Sequence, residues 1–124
     1  MASHSLKPLS VSNDTQYGQL EIGKEYLVMG MVLFDEQLCY LIDDGIISVC
    51  PYQLFEVIDS RITSTWHFRA LTKNDVMFPY IRTIWGYYEM CFVDDHYQQL
   101  VEAEEEAYRI YYRRKIEMEK ELLQ

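Results

Sequence analysis

The sequence has few of the residues that mark disulfide-rich, metal-binding or phosphate-binding proteins. It holds only three cysteines, widely spaced, and five glycines among 124 residues. An odd and scattered set of cysteines forms neither a disulfide framework nor a paired metal knuckle, so we expect reduced, buried thiols. No P-loop, GxGxxG, HExxH or GxSxG pattern occurs, and so few glycines exclude a dedicated phosphate-cradling loop. We therefore expect no cofactor and no resident metal.

Long apolar runs are also missing. The stretch "YLVMGMVLF" is interrupted by Gly30 and is far shorter than the roughly 20 residues that a membrane-spanning helix needs. Residues 1–18 have no apolar centre between a basic start and a small-residue cleavage site, so they do not fit a secretory signal. We expect a soluble, cytoplasmic chain in which 1–18 is a loose arm.

Basic residues are in the minority. Eleven lysines and arginines stand against twenty aspartates and glutamates, which makes the net charge −9. The imbalance is concentrated in residues 21–59, where eight acids face a single base, Lys24. Like charge repels phosphate backbones and anionic membranes. This argues against nucleic acid and membranes as direct ligands; it favours a basic protein partner, or it serves solubility alone.

What is present is a large apolar and aromatic fraction, 49% and 15% of the residues, which is enough for one packed domain over 1–124. Residues 19–94 are rich in β-branched and aromatic residues and in turn signals such as "DEQ" and "DDG". From about Asp95 to Leu122, apolar residues recur at three- and four-residue steps. The patterns predict an α+β fold, with a small, bent antiparallel sheet or partial barrel of five or six strands followed by one long C-terminal helix.

Individual strands can also be placed. We expect strands over "EYLVMGMVLF", with a bulge or bend at Gly30, over "LCYLI", "IISVC" and "STWHFRAL", and over "YIRTIWGYYEMCFV", broken at Gly86. "PYQLFEVID" is typical of a single helical turn followed by an extended piece. The strand order is not predictable.

Four glutamates, Glu102 and Glu104 to Glu106, crowd the start of the predicted helix. They could be metal ligands, a substitute for nucleic-acid phosphate that binds a partner, or a solvated helix face. Glu105 and Glu106 stand four and three residues before Arg109, the spacing of exposed ion pairs, and Glu102 stands four before Glu106. A carboxylate metal site would need a histidine at helical spacing, and none follows in this helix. The solvated, ion-paired face is the preferred interpretation.

The histidines give no clear catalytic arrangement. His67 alternates with Trp66 and Phe68 on a predicted strand, and no nucleophile with an orienting acid stands near it in sequence. His96 falls in the first helical turn, where we expect a surface position. The eleven tyrosines are expected mainly to pack the helix against the sheet, and an interface role remains the alternative.

The segments "IGKEYLVMGMVLFDEQLCYLIDD", "PYQLFEVIDSRITSTWHF", "IWGYYEM" and "HYQQLVEAEEEA" resemble a group of small bacterial immunity proteins. Such proteins are encoded beside polymorphic and contact-dependent growth-inhibition toxins. The likeness runs from about Gln19 to Arg114. It implies a noncatalytic protein that binds one toxin domain, usually a nuclease, either over the active site or from the side.

The resemblance supplies no interface positions, so the partner-binding residues are predicted from the turns alone. They are Asp35, Glu36, Asp43, Asp44, Asp59 and Arg61. His67 and Arg69 receive no role. Two alternatives to toxin inhibition stay open: a small adaptor that self-associates through the long helix, and a small enzyme that uses His67.

Overall fold

A computed structural model describes residues 20–21 and 23–123, together with the backbone of residues 5–8. Within these residues the chain forms eight strands, one 3₁₀ turn and three α-helices. The strands are β1 (Ser5–Pro8), β2 (Tyr26–Leu27), β3 (Gly30–Phe34), β4 (Gln37–Asp43), β5 (Ile47–Pro51), β6 (Phe55–Asp59), β7 (His67–Ala70) and β8 (Ile81–Gly86). The 3₁₀ turn is Tyr52–Leu54, and the helices are α1 (Tyr88–Phe92), α2 (His96–Val101) and α3 (Glu105–Leu122).

The strands form two antiparallel sheets. The larger sheet has five strands in the order β5-β4-β3-β8-β7, and the smaller has the order β2-β1-β6. With the C-terminal helix this confirms the predicted α+β class. The larger sheet is not closed into a barrel, because its edge strands β5 and β7 do not pair with each other.

The tight turns lie where the sequence indicated them. Residues 35–36 join β3 to β4, and residues 44–46 join β4 to β5. In the second turn Gly45 has φ +112°, a conformation that glycine adopts without a side-chain clash. The short helical turn before β6 is also confirmed.

Strand β4 is buried on both faces, and its two faces contact different cores. Leu41 packs into a cluster formed with the helices, whereas Tyr40 and Ile42 pack into a second cluster with Tyr26 and Phe55 of the smaller sheet. Successive side chains of a strand point to opposite faces, so a strand covered on both sides is apolar almost throughout. The smaller sheet therefore lies against the β4–β5 side of the larger one.

The strand predicted through Gly30 belongs to both sheets. The chain pairs in the smaller sheet at Tyr26–Leu27 and in the larger sheet from Gly30 onward. Gly30 lies opposite Gly86, and an added Cβ at Gly30 would stand 2.7 Å from the Trp85 carbonyl oxygen. Glycine is thus required at this position by the close approach of two backbones.

Three predictions about the elements were wrong. The segment Tyr88–Phe92 is helix α1, because Gly86, at φ +144°, ends β8 and the chain then buries Met90 and Cys91 from one helical turn. The single helix expected over 95–122 is interrupted at residues 102–104. Within the expected loose arm, Ser5–Pro8 is strand β1, which lies between β2 and β6. The rest of that arm lies outside the described residues.

Helix α3 uses its apolar stripe in the core. Ala107, Tyr111, Met118 and Leu122 are all buried against the face of the larger sheet that carries Leu41. Truncation after Ala107 would therefore remove core residues as well as any surface used for self-association. None of the helices in the described part of the chain is long and apolar enough to cross a membrane.

Candidate functional site

The two acidic turns lie at opposite ends of one strand. Asp35 and Glu36 precede β4, whereas Asp44 follows its last residue, Asp43. A strand of seven residues is about 20 Å long at roughly 3.3 Å per residue. The fold therefore does not bring the predicted acids together into one surface.

Two of the predicted acids are also neutralised within the chain. Asp59 forms a salt bridge to Arg61 of 2.7 Å, and the hydrogen bonds from Arg61 lower the pKa of Asp59 to about 2. Asp35 lies 3.5 Å from the Arg82 guanidinium. The Asp59–Arg61 pair is thus a local contact with no net charge. In the β3–β4 turn Asp35 is paired with Arg82, whereas Glu36 forms no ion pair with a described residue.

Asp43 holds the second turn against helix α3. One carboxylate oxygen accepts a 2.8 Å hydrogen bond from the Tyr112 hydroxyl, and the other accepts the backbone N–H of Gly45 at 3.0 Å. The backbone N–H of Ile47 donates to the Tyr108 hydroxyl at 3.3 Å. Burial, together with the bond to Asp43, raises the pKa of Tyr112 to about 12. The hydroxyl groups of Tyr108 and Tyr112 therefore hydrogen-bond α3 to the β4–β5 turn and the start of β5, in addition to the predicted packing of tyrosines between helix and sheet.

The break between α2 and α3 is a left-handed helix end. Ala103 has φ +57°, its N–H donates to the Leu100 carbonyl at 3.0 Å, and the Glu104 N–H donates to the Gln99 carbonyl at 2.9 Å. This pair of hydrogen bonds is the Schellman arrangement that terminates many helices. It separates Glu102 from α3, so the predicted helical pair between Glu102 and Glu106 is wrong.

Acids accumulate at this break. A hydrogen bond that the protonated Glu104 carboxyl donates to Glu102 raises the pKa of Glu104, and the negative charges of Glu102 and Asp95 raise it further. Within α3 the predicted exposed ion pairs are confirmed, with Arg109 at 3.3 Å from Glu105 and 2.8 Å from Glu106. Glu102 and Glu104, in contrast, form no salt bridge to any described residue.

An apolar groove of about 290 Å³ lies between the β4–β5 turn and the end of α2. Ile46 and Val101 line it with 55% and 59% of their surface exposed, and Val49 and Leu100 lie deeper. We call it the acid-rimmed groove, after three carboxylates that neighbour its lining residues along the chain. Asp44 accepts a hydrogen bond from the Ile46 N–H, Glu102 directly follows Val101, and Glu104 is hydrogen-bonded to Glu102.

The sequence indicated only part of this groove. Asp44 was among the predicted partner-binding residues, but Glu102 and Glu104 were assigned to a helix face and Val101 to the apolar stripe. Ile46 follows a hairpin glycine and gives no signal of its own. The break at Ala103 moves Val101 out of the core stripe, and "EAEEE" contains no glycine or asparagine that would have predicted it.

His96 is buried, which contradicts its predicted surface position. Its side chain is 1% exposed, and its Nε2 lies 2.6 Å from the Tyr87 hydroxyl. Burial lowers the pKa of His96, so the neutral ring is favoured. The prediction failed because the break in the helix turns α2, and His96 with it, toward the core.

His67 lies on the surface of β7 and contacts aromatic rings. Its ring meets Tyr88 and Phe92 edge-on, with centroid distances of 5.8 and 5.7 Å. Its neighbour Arg69 donates to the Cys91 carbonyl and bonds Asp75 and Asp94. In the described part of the chain no carboxylate is hydrogen-bonded to His67, so the geometry adds nothing to the enzyme alternative.

The side chains that commonly bind metal ions are not clustered in the described part of the chain. Residues 20–21 and 23–123 contain no group of three or more His, Cys, Asp or Glu side chains that could hold a metal ion. The thiols of Cys39, Cys50 and Cys91 are free and buried, as predicted, and burial raises the pKa of each to about 11. Thiols with so high a pKa are poor nucleophiles.

Comparison with known proteins gives no relative. No family model matches the chain, and neither does any curated protein or solved structure.

Proposed function

We propose that this chain is an immunity protein, a stoichiometric inhibitor that binds a basic toxin domain through the acid-rimmed groove. The observation that carries the proposal is that exposed Ile46 and Val101 line one groove and are neighboured along the chain by carboxylates that form no salt bridge to a described residue. An apolar centre with a polar rim is the usual composition of a protein interface. The charge of that rim selects a basic surface.

The class of toxin follows from charge. A nuclease that binds a polyanionic substrate carries a basic active-site surface, so an acidic inhibitor is attracted to it over long range and associates quickly. The net charge of −9 and the resemblance both agree with such a partner. The proposed site of action is the cytoplasm, where a nuclease toxin meets its substrate. Binding would be noncovalent and without a cofactor.

The first experiment is a growth assay. The C-terminal domain of the polypeptide encoded immediately upstream is expressed in cells with and without this chain. Rescue of growth by the chain supports immunity. A harmless neighbour, or equal killing in both cultures, would exclude immunity against that polypeptide and favour the adaptor alternative.

The second experiment tests the groove. A triple variant, Asp44→Lys with Glu102→Lys and Glu104→Lys, is compared with the matched triple Glu36→Lys, Glu56→Lys and Glu119→Lys. Both variants change the net charge equally, and the three control positions are exposed and form no ion pair with a described residue. We expect the groove variant to lose rescue and the control to keep it. Equal behaviour would show that overall charge, and not the groove, determines binding.

Val101→Glu tests the apolar centre separately from the charge rim. Because Val101 is 59% exposed, we expect the substitution to leave the fold intact. Burying the exposed part of a valine against a partner contributes about 1–2 kcal/mol, so Kd should rise by about tenfold or more. An unchanged Kd in calorimetry with the purified toxin domain would place the interface elsewhere.

A further inference from the structure

The two edges of the larger sheet differ in how they are protected. On β5 the N–H of Ile47 is bonded to the Tyr108 hydroxyl, and helix α2 packs beside the strand. Helix α1 packs against β7, the other edge, but no strand among the described residues pairs with its outer side. An unpaired edge presents backbone donors and acceptors to another chain.

The backbone groups that face outward can be identified from the register. The Leu71 N–H donates to the Arg82 carbonyl, and Arg69 and His67 lie opposite Ile84 and Gly86. In an antiparallel pair, hydrogen-bonded and non-bonded positions alternate. The N–H and C=O groups of Phe68 and Ala70 therefore point away from β8, toward solvent.

Exposed aromatic side chains flank this edge on both faces. Phe68 is 58% exposed and packs on Trp85 with a ring centroid distance of 5.8 Å. On the opposite face Tyr88 and Phe92, 49% and 42% exposed, surround His67. An exposed apolar patch of this kind marks an interaction surface.

The edge also lacks the usual protection against pairing. Free edges are commonly blocked by lysine, proline, a bulge or an inward-pointing charge. The one charged residue of β7, Arg69, is drawn away from the edge by Asp75, Asp94 and the Cys91 carbonyl. No proline occurs in the strand, and its pairing with β8 has no bulge.

We propose that this edge binds a second copy of the chain, so that β7 pairs antiparallel with β7 and the two larger sheets become one. The charge distribution selects this occupant. Two chains of net charge −9 repel each other except at surfaces where basic and acidic side chains balance. Such a balance exists around β7. There Arg69 is paired with Asp75 and Asp94, Arg82 is paired with Asp35, and Lys73 is exposed.

The pairing is self-complementary. A two-fold axis beside Phe68 places it opposite Phe68 of the second copy in a hydrogen-bonded pair, with both rings on the same face of the joined sheet. The acid-rimmed groove lies beside β5, at the other edge of the sheet. Each copy thus keeps its groove open, and this proposal stands or fails independently of the proposed function.

A cysteine at position 68 tests the register directly. Paired residues at a hydrogen-bonded position have Cα atoms about 5.5 Å apart, which is within the range that a disulfide spans. The chain's own cysteines are buried, so Phe68→Cys adds the one accessible thiol of the described residues. Val76→Cys, at a position that is 99% exposed but off the edge, is the control.

Under mild oxidation we expect Phe68→Cys to form a covalent dimer at least about tenfold faster than Val76→Cys, because pairing raises the effective concentration of the thiols. Sedimentation of the unmodified chain should show a mass that rises from one chain toward two with concentration. Phe68→Lys and Ala70→Pro should stay monomeric. Ala70→Pro removes only an outward N–H, since Ala70 is not bonded to β8.

Two outcomes overturn the proposal. One is a chain that stays monomeric at every concentration while the two cysteine variants cross-link at the same rate. The other is a dimer that persists in both Phe68→Lys and Ala70→Pro, which would place self-association on another surface. Circular dichroism spectra like that of the unmodified chain establish that each variant is folded.

Discussion

Replacing Arg114 with glutamine is expected to weaken the attachment of helix α3 to helix α1. The Arg114 guanidinium bonds both oxygens of Glu89, with Nε at 2.8 Å and Nη2 at 3.0 Å. The two side chains are largely buried, at 23% and 14% exposure. Arg113 approaches the same carboxylate at 3.5 Å. Arg114 is thus the principal partner of a partly buried charge.

The magnitude follows from what glutamine leaves behind. A two-bond contact to a charged group is lost, and Glu89 keeps only the longer contact with Arg113. For fully buried pairs the loss is about 3–5 kcal/mol, and hydrogen bonds to charged groups contribute about 1.5–3 kcal/mol. For this partly buried pair we expect a loss of about 2 kcal/mol in the free energy of unfolding. This corresponds to a decrease of about 5–10 °C in Tm.

The loss should depend on pH. The hydrogen bonds from Arg114 lower the pKa of Glu89 in the folded chain. A carboxyl whose folded pKa is lowered contributes stability that is fully present above its unfolded pKa, about 4.3, and that disappears as pH falls through the folded pKa. The difference between the two chains should therefore be largest near neutral pH and shrink below about pH 4.

Arg109→Gln is the matched control, because Arg109 lies on the same helix and is paired with two glutamates, as Arg114 is with Glu89 and Glu117. Its partners Glu105 and Glu106 are 91% and 65% exposed, so the expected loss is about 0.5 kcal/mol or less. Urea unfolding of all three chains at neutral and acidic pH measures both differences. Equal losses for the two variants, or a loss at Arg114 that does not change with pH, would refute the reasoning.

Three further predictions concern backbone and buried positions. Gly30→Ala should lower the free energy of unfolding by about 1–3 kcal/mol, measured by urea unfolding, because its Cβ would stand 2.7 Å from the Trp85 carbonyl oxygen. Ala103→Gly should raise the melting temperature, with a gain of up to about 1 kcal/mol, because φ +57° is unfavourable for any residue with a Cβ. Burial lowers the pKa of His96, so the unfolded chain binds the proton first and stability should fall between about pH 7 and pH 5. In urea unfolding, His96→Phe should reduce this fall in stability between pH 7 and pH 5. If the fall is unchanged in the variant, another titrating group causes it.

The β3–β4–β5 meander could be predicted because its signals are local. The turns occupy residues 35–36 and 44–46, and Gly45 supplies the positive φ that the second turn needs. Successive side chains then point to opposite faces of each strand, and in β4 both faces are buried. The pairing of the strand containing Ser5–Pro8 had no such signal, because its partners β2 and β6 are distant in sequence.

The helical errors have a common physical cause. "YYEMCFV" satisfies the propensities of a strand, but the chain bends at Gly86 and Glu89 then meets Arg114 from a helix that follows in the sequence. Tertiary contacts of this kind override weak local preferences. Likewise, apolar residues continue at helical spacing on both sides of Ala103, so periodicity cannot reveal the break between them.

Charge counting along the sequence identified the acidic character of the chain but not the position of its acidic surface. Asp35 and Asp59 lie near arginines, and Asp43 is held by Tyr112 and Gly45. What decides whether a carboxylate can attract a partner is the presence of a nearby cation, which depends on the fold. The salt bridges therefore had to be known before it could be decided which acids are available to a partner.

The break at Ala103 links the fold to the proposed function. If α2 and α3 were one helix, Glu102 and Glu106 would share an exposed face one turn apart, and Val101 would stay in the apolar stripe. The left-handed residue instead ends α2 beside the β4–β5 turn, so that Val101 lines the same groove as Ile46. It also leaves Glu102 and Glu104 outside the ion pairs that Arg109 forms with Glu105 and Glu106. A backbone conformation that is unfavourable for alanine thus accounts for both the apolar centre and the free charges of the groove, and it is these that a basic partner would contact.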